Sequence, residues 1–145
     1  MSKIEFWHHH VGISVPDLEA SIRWYQDVLG FECEKRFRIE AIPASCAMIK
    51  NGPLRIELFQ ADKYKPMSDE RRAPDTDNLT LGNKHGAFVV EDVFKLADHF
   101  RAKGVDIVWV KRMSPTQAAV FIRDNSGVIL EFVEGKKPQE TQSLL

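Results

Sequence analysis

Gly127-Val128-Ile129-Leu130-Glu131-Phe132-Val133-Glu134 is a strand-forming, apolar run with a carboxylate at its centre. A carboxylate in such a run is costly unless it meets a cation or a strong donor. Three other runs share the oddity. His10 stands in His8-His9-His10-Val11-Gly12-Ile13-Ser14-Val15, Glu57 in Leu54-Arg55-Ile56-Glu57-Leu58-Phe59, and His85 in His85-Gly86-Ala87-Phe88-Val89-Val90. Two histidines and two glutamates, each in its own apolar strand, point to one metal site built from four strands.

Working outward, the chain repeats itself. Phe6 to Val15 alternates, with Trp7, His9, Val11, Ile13 and Val15 on the face expected to pack and His8, His10, Gly12 and Ser14 on the other. Asp17 is a helix N-cap, and Leu18, Ile22, Tyr25 and Leu29 form an apolar stripe that Gly30 ends. Strands follow over residues 31–38, 44–49 and 54–59, the last two joined by the Asn51-Gly52 turn signal. The pattern then restarts: a strand at 85–90, a helix with Val93, Leu96, Ala97 and Phe100 inward, and strands at 105–110, 118–122 and 128–133. Glu57 follows His10 by 47 positions and Glu131 follows His85 by 46. Such a repeat marks a duplicated supersecondary unit. The fold class is α+β, with two tandem βαβββ modules: module one over 4–60, a connecting loop over 61–82, module two over 83–134 and a polar tail over 135–145. The connection is charged and contains Pro66 and Pro74; its length suits either a solvated linker or a lid over the site.

Composition narrows the function classes. A net charge of −1 gives no electrostatic reason to expect a nucleic-acid or anionic-membrane partner. No apolar run approaches the roughly 20 residues that span a bilayer. No secretory leader is read at the N-terminus, and the two cysteines, Cys33 and Cys46, make no disulfide framework, so a reducing cytoplasm is the expected compartment.

The ligand types set the chemistry. Two neutral imidazoles and two carboxylates balance a divalent ion, and this nitrogen–oxygen mix suits Zn, Ni, Co, Fe or Mn without choosing among them. Four protein ligands in an octahedral field leave two positions for water or substrate oxygens.

The motifs His10-Val11-Gly12-Ile13-Ser14-Val15-Pro16-Asp17-Leu18, Trp24-Tyr25-Gln26-Asp27-Val28-Leu29-Gly30-Phe31, His85-Gly86-Ala87-Phe88-Val89-Val90 and residues 124–132 resemble the vicinal oxygen chelate superfamily. This superfamily includes glyoxalase I, methylmalonyl-CoA epimerase, extradiol dioxygenases and the fosfomycin and bleomycin resistance proteins. The resemblance implies a curved mixed sheet around a metal, helices outside, with metal positions at His10, Glu57, His85 and Glu131. It also implies a metal-dependent lyase or epimerase/isomerase that abstracts a proton next to a metal-chelated carbonyl of a small molecule. Glu131 is then the base and Glu57 a second carboxylate, ligand or base. An extradiol-type iron(II) dioxygenase and a metal-free binding or resistance protein are the alternatives within the family. Departures from the glyoxalase I pattern are Ser14, where that pattern has arginine, and Gln60-Ala61, where it places asparagine; the epimerase pattern often has glutamine at Glu57.

By alternation Arg55 and Phe59 share a face with Glu57, and His8 shares one with His10; these three are the candidate substrate-binding residues. Arg55 either takes an anionic substrate group or pairs with a glutamate. Trp24, Trp109 and Phe100 are expected in the core and His99 at the surface. Exposed sheet edges in two such short modules lead to the expectation of a homodimer.

Overall fold

The structure, a computed structural model, describes residues 2–138. Residues 139–145 of the expected tail lie outside the described residues. The chain divides into two compact units, 1–66 and 67–145.

The first unit runs β1 (Val11–Ser14), α1 (Leu18–Leu29), β2 (Glu32–Ile39), β3 (Ala44–Asn51) and β4 (Leu54–Ala61). Its sheet has the order β1-β4-β3-β2. β1 is parallel to β4, and the other pairs are antiparallel. Asp17 caps α1, its carboxylate accepting from the Ala20 N–H at 3.0 Å. The helix buries Leu18, Ile22, Tyr25 and Val28, and β4 buries Ile56 and Leu58. Strand alternation then places Arg55, Glu57 and Phe59 on the opposite face of β4. Burying each large apolar side chain is worth about 1.5–3 kcal/mol, so this stripe fixes the register and with it the direction of Glu57.

The second unit opens with a 3₁₀ turn (Asp69–Arg72) and the short helix α2 (Pro74–Asp77). It continues as β5 (Gly86–Val90), α3 (Val93–Ala102), β6 (Asp106–Ser114), β7 (Gln117–Arg123) and β8 (Ile129–Glu134). The strand order is β5-β8-β7-β6, with β5 parallel to β8. Asp92 caps α3 through the Lys95 N–H, repeating Asp17. Val93, Ala97 and Phe100 are buried beneath it, and Phe100 meets Phe132 with ring centroids 5.4 Å apart. The duplicated βαβββ reading therefore holds in both units.

Three expectations change. The strand expected from Phe6 starts only at Val11, and Trp7, His9 and Val11, expected to pack, are exposed, as are Ile4 and Phe6. The ladder explains this: Val11 pairs with Ile56 and β4 begins at Leu54, so a parallel partner runs out two residues further back. Phe100 is fully buried, but Trp24 and Trp109 are only half-buried. The connection after β4 is also not featureless. Arg123 Nε donates to the Arg72 carbonyl at 2.6 Å. The Lys84 ammonium donates to the carbonyls of Asp77, at 2.6 Å, and Thr80. Gly127 lies under Arg72 with a positive φ of 89°; a Cβ there would come within 2.7 Å of the Arg72 guanidinium. The Lys84 bonds brace the connection internally, and Arg72 ties it to the end of β7 and the turn at Gly127.

Candidate metal centre

Each unit brings one histidine and one glutamate together, and does so in the same way. His10 immediately precedes β1, and Gly12, two residues on, is registered with Glu57. His85 immediately precedes β5, and Ala87, two residues on, is registered with Glu131. In a parallel pair, residues in register share a face. A histidine two residues before that position lies one pleat away on the same face, so its imidazole reaches the carboxylate. The spacings of 47 and 46 positions converge on one register because the loops between elements absorb the difference.

In the first pair His10 Nε2 lies 3.7 Å from Glu57 Oε2. His9 Nδ1 approaches His10 Nδ1 at 2.7 Å. The Phe59 ring lies against Gly12, where a Cβ would sit 3.2 Å from Phe59 Cε2, so the absence of a side chain at Gly12 lets that ring lean along the strand. Cys46 is registered with Phe59 and is buried. Burial, and next the nearby Glu57 carboxylate, push its thiol above the ordinary value.

In the second pair His85 Nε2 lies 3.2 Å from Glu131 Oε1. His85 and Glu131 are 14% and 21% exposed, against 35% and 16% for His10 and Glu57, so the second pair shields its histidine much better and the first its glutamate slightly better. The Phe121 ring packs edge-on to His85, centroids 4.9 Å apart at 75°. His85 Nδ1 is buried and has no hydrogen-bond partner among the described residues.

The donors suit a divalent ion. Two donors each about 2.1 Å from one ion lie roughly 3.0 Å apart at a right angle and roughly 3.4 Å apart at the tetrahedral angle. The His85–Glu131 separation falls within that range and the His10–Glu57 separation is a few tenths wider. Within either unit the described residues form no group of three His, Cys, Asp or Glu able to hold a metal; each supplies a pair.

Of the candidate substrate-binding residues, Phe59 is half-buried on the Glu57 face and His8 is exposed. Arg55 is occupied: its Nε and Nη2 donate to the two Glu34 carboxylate oxygens at 3.0 and 3.1 Å. That hydrogen bond holds the Glu34 carboxyl below its ordinary range. Sequence alternation gave the face of Arg55 but not its partner on β2. It also missed Phe121, because the contact with His85 depends on the hairpin register that sets Phe121 against Glu131.

The chain belongs to the Glyoxalase/Bleomycin resistance protein/Dioxygenase superfamily, whose family model matches residues 7–132. It is 30% identical over 129 residues to the uncharacterised protein YaeR of Escherichia coli (strain K12), covering 87% of this chain and 94% of that one. It is 29% identical over 110 residues to a 2-epi-5-epi-valiolone epimerase of Actinomyces sp., covering 66% of this chain and 57% of the epimerase. Among solved structures, a glyoxalase family protein from Enterococcus faecalis superposes with a TM-score of 0.73 at 23% identity, covering 88% of this chain and 97% of that one. This last likeness is one of fold. Among the described residues no helix is long and apolar enough to cross a membrane.

Proposed function

We propose that the protein is a metal-dependent isomerase or lyase that removes a proton from the carbon beside a carbonyl of a small molecule. One divalent ion, Zn, Ni, Co, Fe or Mn, is held by His10, Glu57, His85 and Glu131. The observation that carries this reading is the His–Glu pair repeated at equivalent register in both units. The Actinomyces sp. relative named as an epimerase supports the isomerase half of the reading.

The ion supplies stabilisation of negative charge developing on a carbonyl oxygen. The chain supplies the proton chemistry. A Glu131 oxygen takes the proton from the substrate carbon, the C–H electron pair moving toward the carbonyl. Return of a proton to the opposite face of that carbon inverts it; return to the neighbouring carbon shifts the carbonyl. Glu57, the second carboxylate, serves as ligand or as the partner acid. Phe121, packed edge-on to His85, narrows the access of water to the pair.

The test is α-proton exchange. The protein is loaded with each metal in deuterated water and given α-hydroxycarbonyl and thioester compounds. Metal-dependent loss of the α-proton is expected. Absence of exchange with every compound, together with cleavage of a catechol in the presence of iron(II) and oxygen, replaces this reading with the dioxygenase one.

A further inference from the structure

An aromatic floor leads away from the His85–Glu131 pair and ends at a cation. Phe121, packed on His85, meets Trp109 with ring centroids 4.6 Å apart at 52°. The Lys111 ammonium lies over the Trp109 ring, 4.7 Å from its centroid. All five groups lie on one face of one sheet: Glu131 is registered with Phe121, Phe121 with Trp109, and Lys111 is two residues further along β6.

Lys111 differs from the arginines around it. Arg112 is paired with Glu134 at 2.8 Å, Arg123 with Asp106 at 3.2 Å and Arg101 with Asp98 at 2.8 Å. No carboxylate among the described residues lies within ion-pair distance of Lys111. Its neighbour across the ladder is Ala119, followed by Val133. In the first unit the equivalent positions of β2 hold the pair in reverse order, with Lys35 in the place of Trp109 and Phe37 in the place of Lys111, the ammonium 5.4 Å from the ring centroid, and Met48 stands opposite Glu57 where Phe121 stands opposite Glu131. An aromatic–lysine pair thus recurs in both units, but two aromatic rings running from the glutamate to an outer lysine are found only in the second.

We propose that Trp109, packed on the buried Phe121, forms the floor, and Lys111 the anion-reading end, of the substrate subsite beside Glu131. The substrate carries a flat, apolar body and, at the end away from its reacting carbon, a carboxylate or phosphate. The assignment rests on Glu131 and His85 being the reacting centre. Apolar walls with a few placed polar groups are how small-molecule sites obtain both affinity and orientation. A flat body gains offset or edge contact with the Trp109 ring, which Phe121 supports. The lysine ammonium is a point charge on a flexible stem, suited to either anion. Two strand spacings of about 4.8 Å and two residues of about 3.4 Å put the Cα atoms of Glu131 and Lys111 roughly 12 Å apart on a flat sheet. That span, shortened by the lysine stem, matches a ring with oxygens at one end and an anion at the other.

The test is a titration that does not depend on turnover. The full chain, labelled with ¹⁵N at its tryptophan indoles, is titrated with benzoate and with its neutral isostere benzamide, both as purified and after chelator treatment. The Trp109 signal is identified by its loss in Trp109→Phe. Benzoate is expected to move the Trp109 signal and to bind about tenfold more tightly than benzamide, the order of one charge-assisted hydrogen bond. Lys111→Gln removes that preference, Lys111→Arg keeps it, and unchanged Trp24 signals show that the fold is intact. Equal affinity for the two probes, an equal loss for both in Lys111→Gln, or no movement of the Trp109 signal overturns the proposal. Failure of the metal reading shows instead as absent metal uptake, which leaves the chelator-treated titration unaffected.

Discussion

Glu131 Oε1 lies 3.2 Å from His85 Nε2, and the strand register that makes this contact is the one that brings Glu57 to His10. A histidine–carboxylate contact alone is an ordinary ion pair. What argues for metal is that the duplicated module keeps the pair in both copies while changing its surroundings, from Met48 beside Glu57 to Phe121 beside Glu131.

If both pairs serve one ion, either histidine is needed for full affinity. His85→Ala and His10→Ala are each expected to lose most of the bound metal after dialysis against an equimolar supply, with far-ultraviolet circular dichroism unchanged. Elemental analysis showing the parent stoichiometry in both variants would end the four-ligand assignment.

The connection between the modules contributes stability through Lys84. Its ammonium satisfies the Asp77 and Thr80 carbonyls and lies 3.5 Å from the buried Asp77 carboxylate. The Asp77 acceptors belong to a buried residue while Thr80 is exposed, and removing a donor from a buried acceptor costs about 1–3 kcal/mol. Lys84→Met is expected to lower the urea midpoint accordingly. An unchanged midpoint would mean that residues 67–84 lie loosely on the second unit.

Acid should weaken the second unit through Glu134. Its carboxyl is held below the ordinary 4.5, first by the hydrogen bond from Arg112 and next by the Val93 N–H at the start of α3. A depressed folded value means the stabilisation is complete above pH 4.5 and is lost as pH falls from there through the lower folded value. Glu134→Gln is expected to flatten this limb of the stability–pH curve; parallel parent and variant curves would count against it.

How much of this was legible in the sequence depends on what each feature needs. The helices and strands were readable because Asp17 and Asp92 cap their helices and the apolar stripes carry the right periods. The repeat of His10 and His85, Glu57 and Glu131 was readable because strand register preserves sequence spacing. β1 is shorter than its alternating run because alternation signals a strand without showing where its partner ends, and β4 begins only at Leu54. Arg55 gave its face but not Glu34, which approaches it from β2, 21 positions away. Phe121 reads as an ordinary strand residue and Lys111 as lying just past the strand at 105–110; only the β6–β7–β8 ladder, with β6 running on to Ser114, aligns them with Glu131.

The exposed edges lead to an assembly prediction. Within their sheets β1 pairs only with β4 and β5 only with β8, and Val11 and Val89 on these edge strands are exposed. Open edges are templates for pairing and are seldom left bare. A homodimer at micromolar concentration is expected in sedimentation velocity. A monomer at all concentrations would mean that the edges are covered within one chain.

The mechanism is tested most directly by comparing the two glutamates. Glu131→Gln and Glu57→Gln each keep an oxygen ligand and the side-chain shape, and each removes one carboxylate charge. If both glutamates only hold the ion, the two variants lose metal and activity in proportion. If Glu131 moves the proton, Glu131→Gln loses about 10²–10⁴ in rate at saturating metal, while Glu57→Gln recovers most of its rate once metal is raised. What distinguishes the two settings is the aromatic Phe121 opposite Glu131, where Met48 stands opposite Glu57. The readout is the α-proton exchange rate per bound metal, which separates a weaker site from a missing base. A Glu131→Gln protein that holds metal and exchanges at the parent rate would remove the base role from Glu131, and the same result reversed between the two variants would transfer it to Glu57.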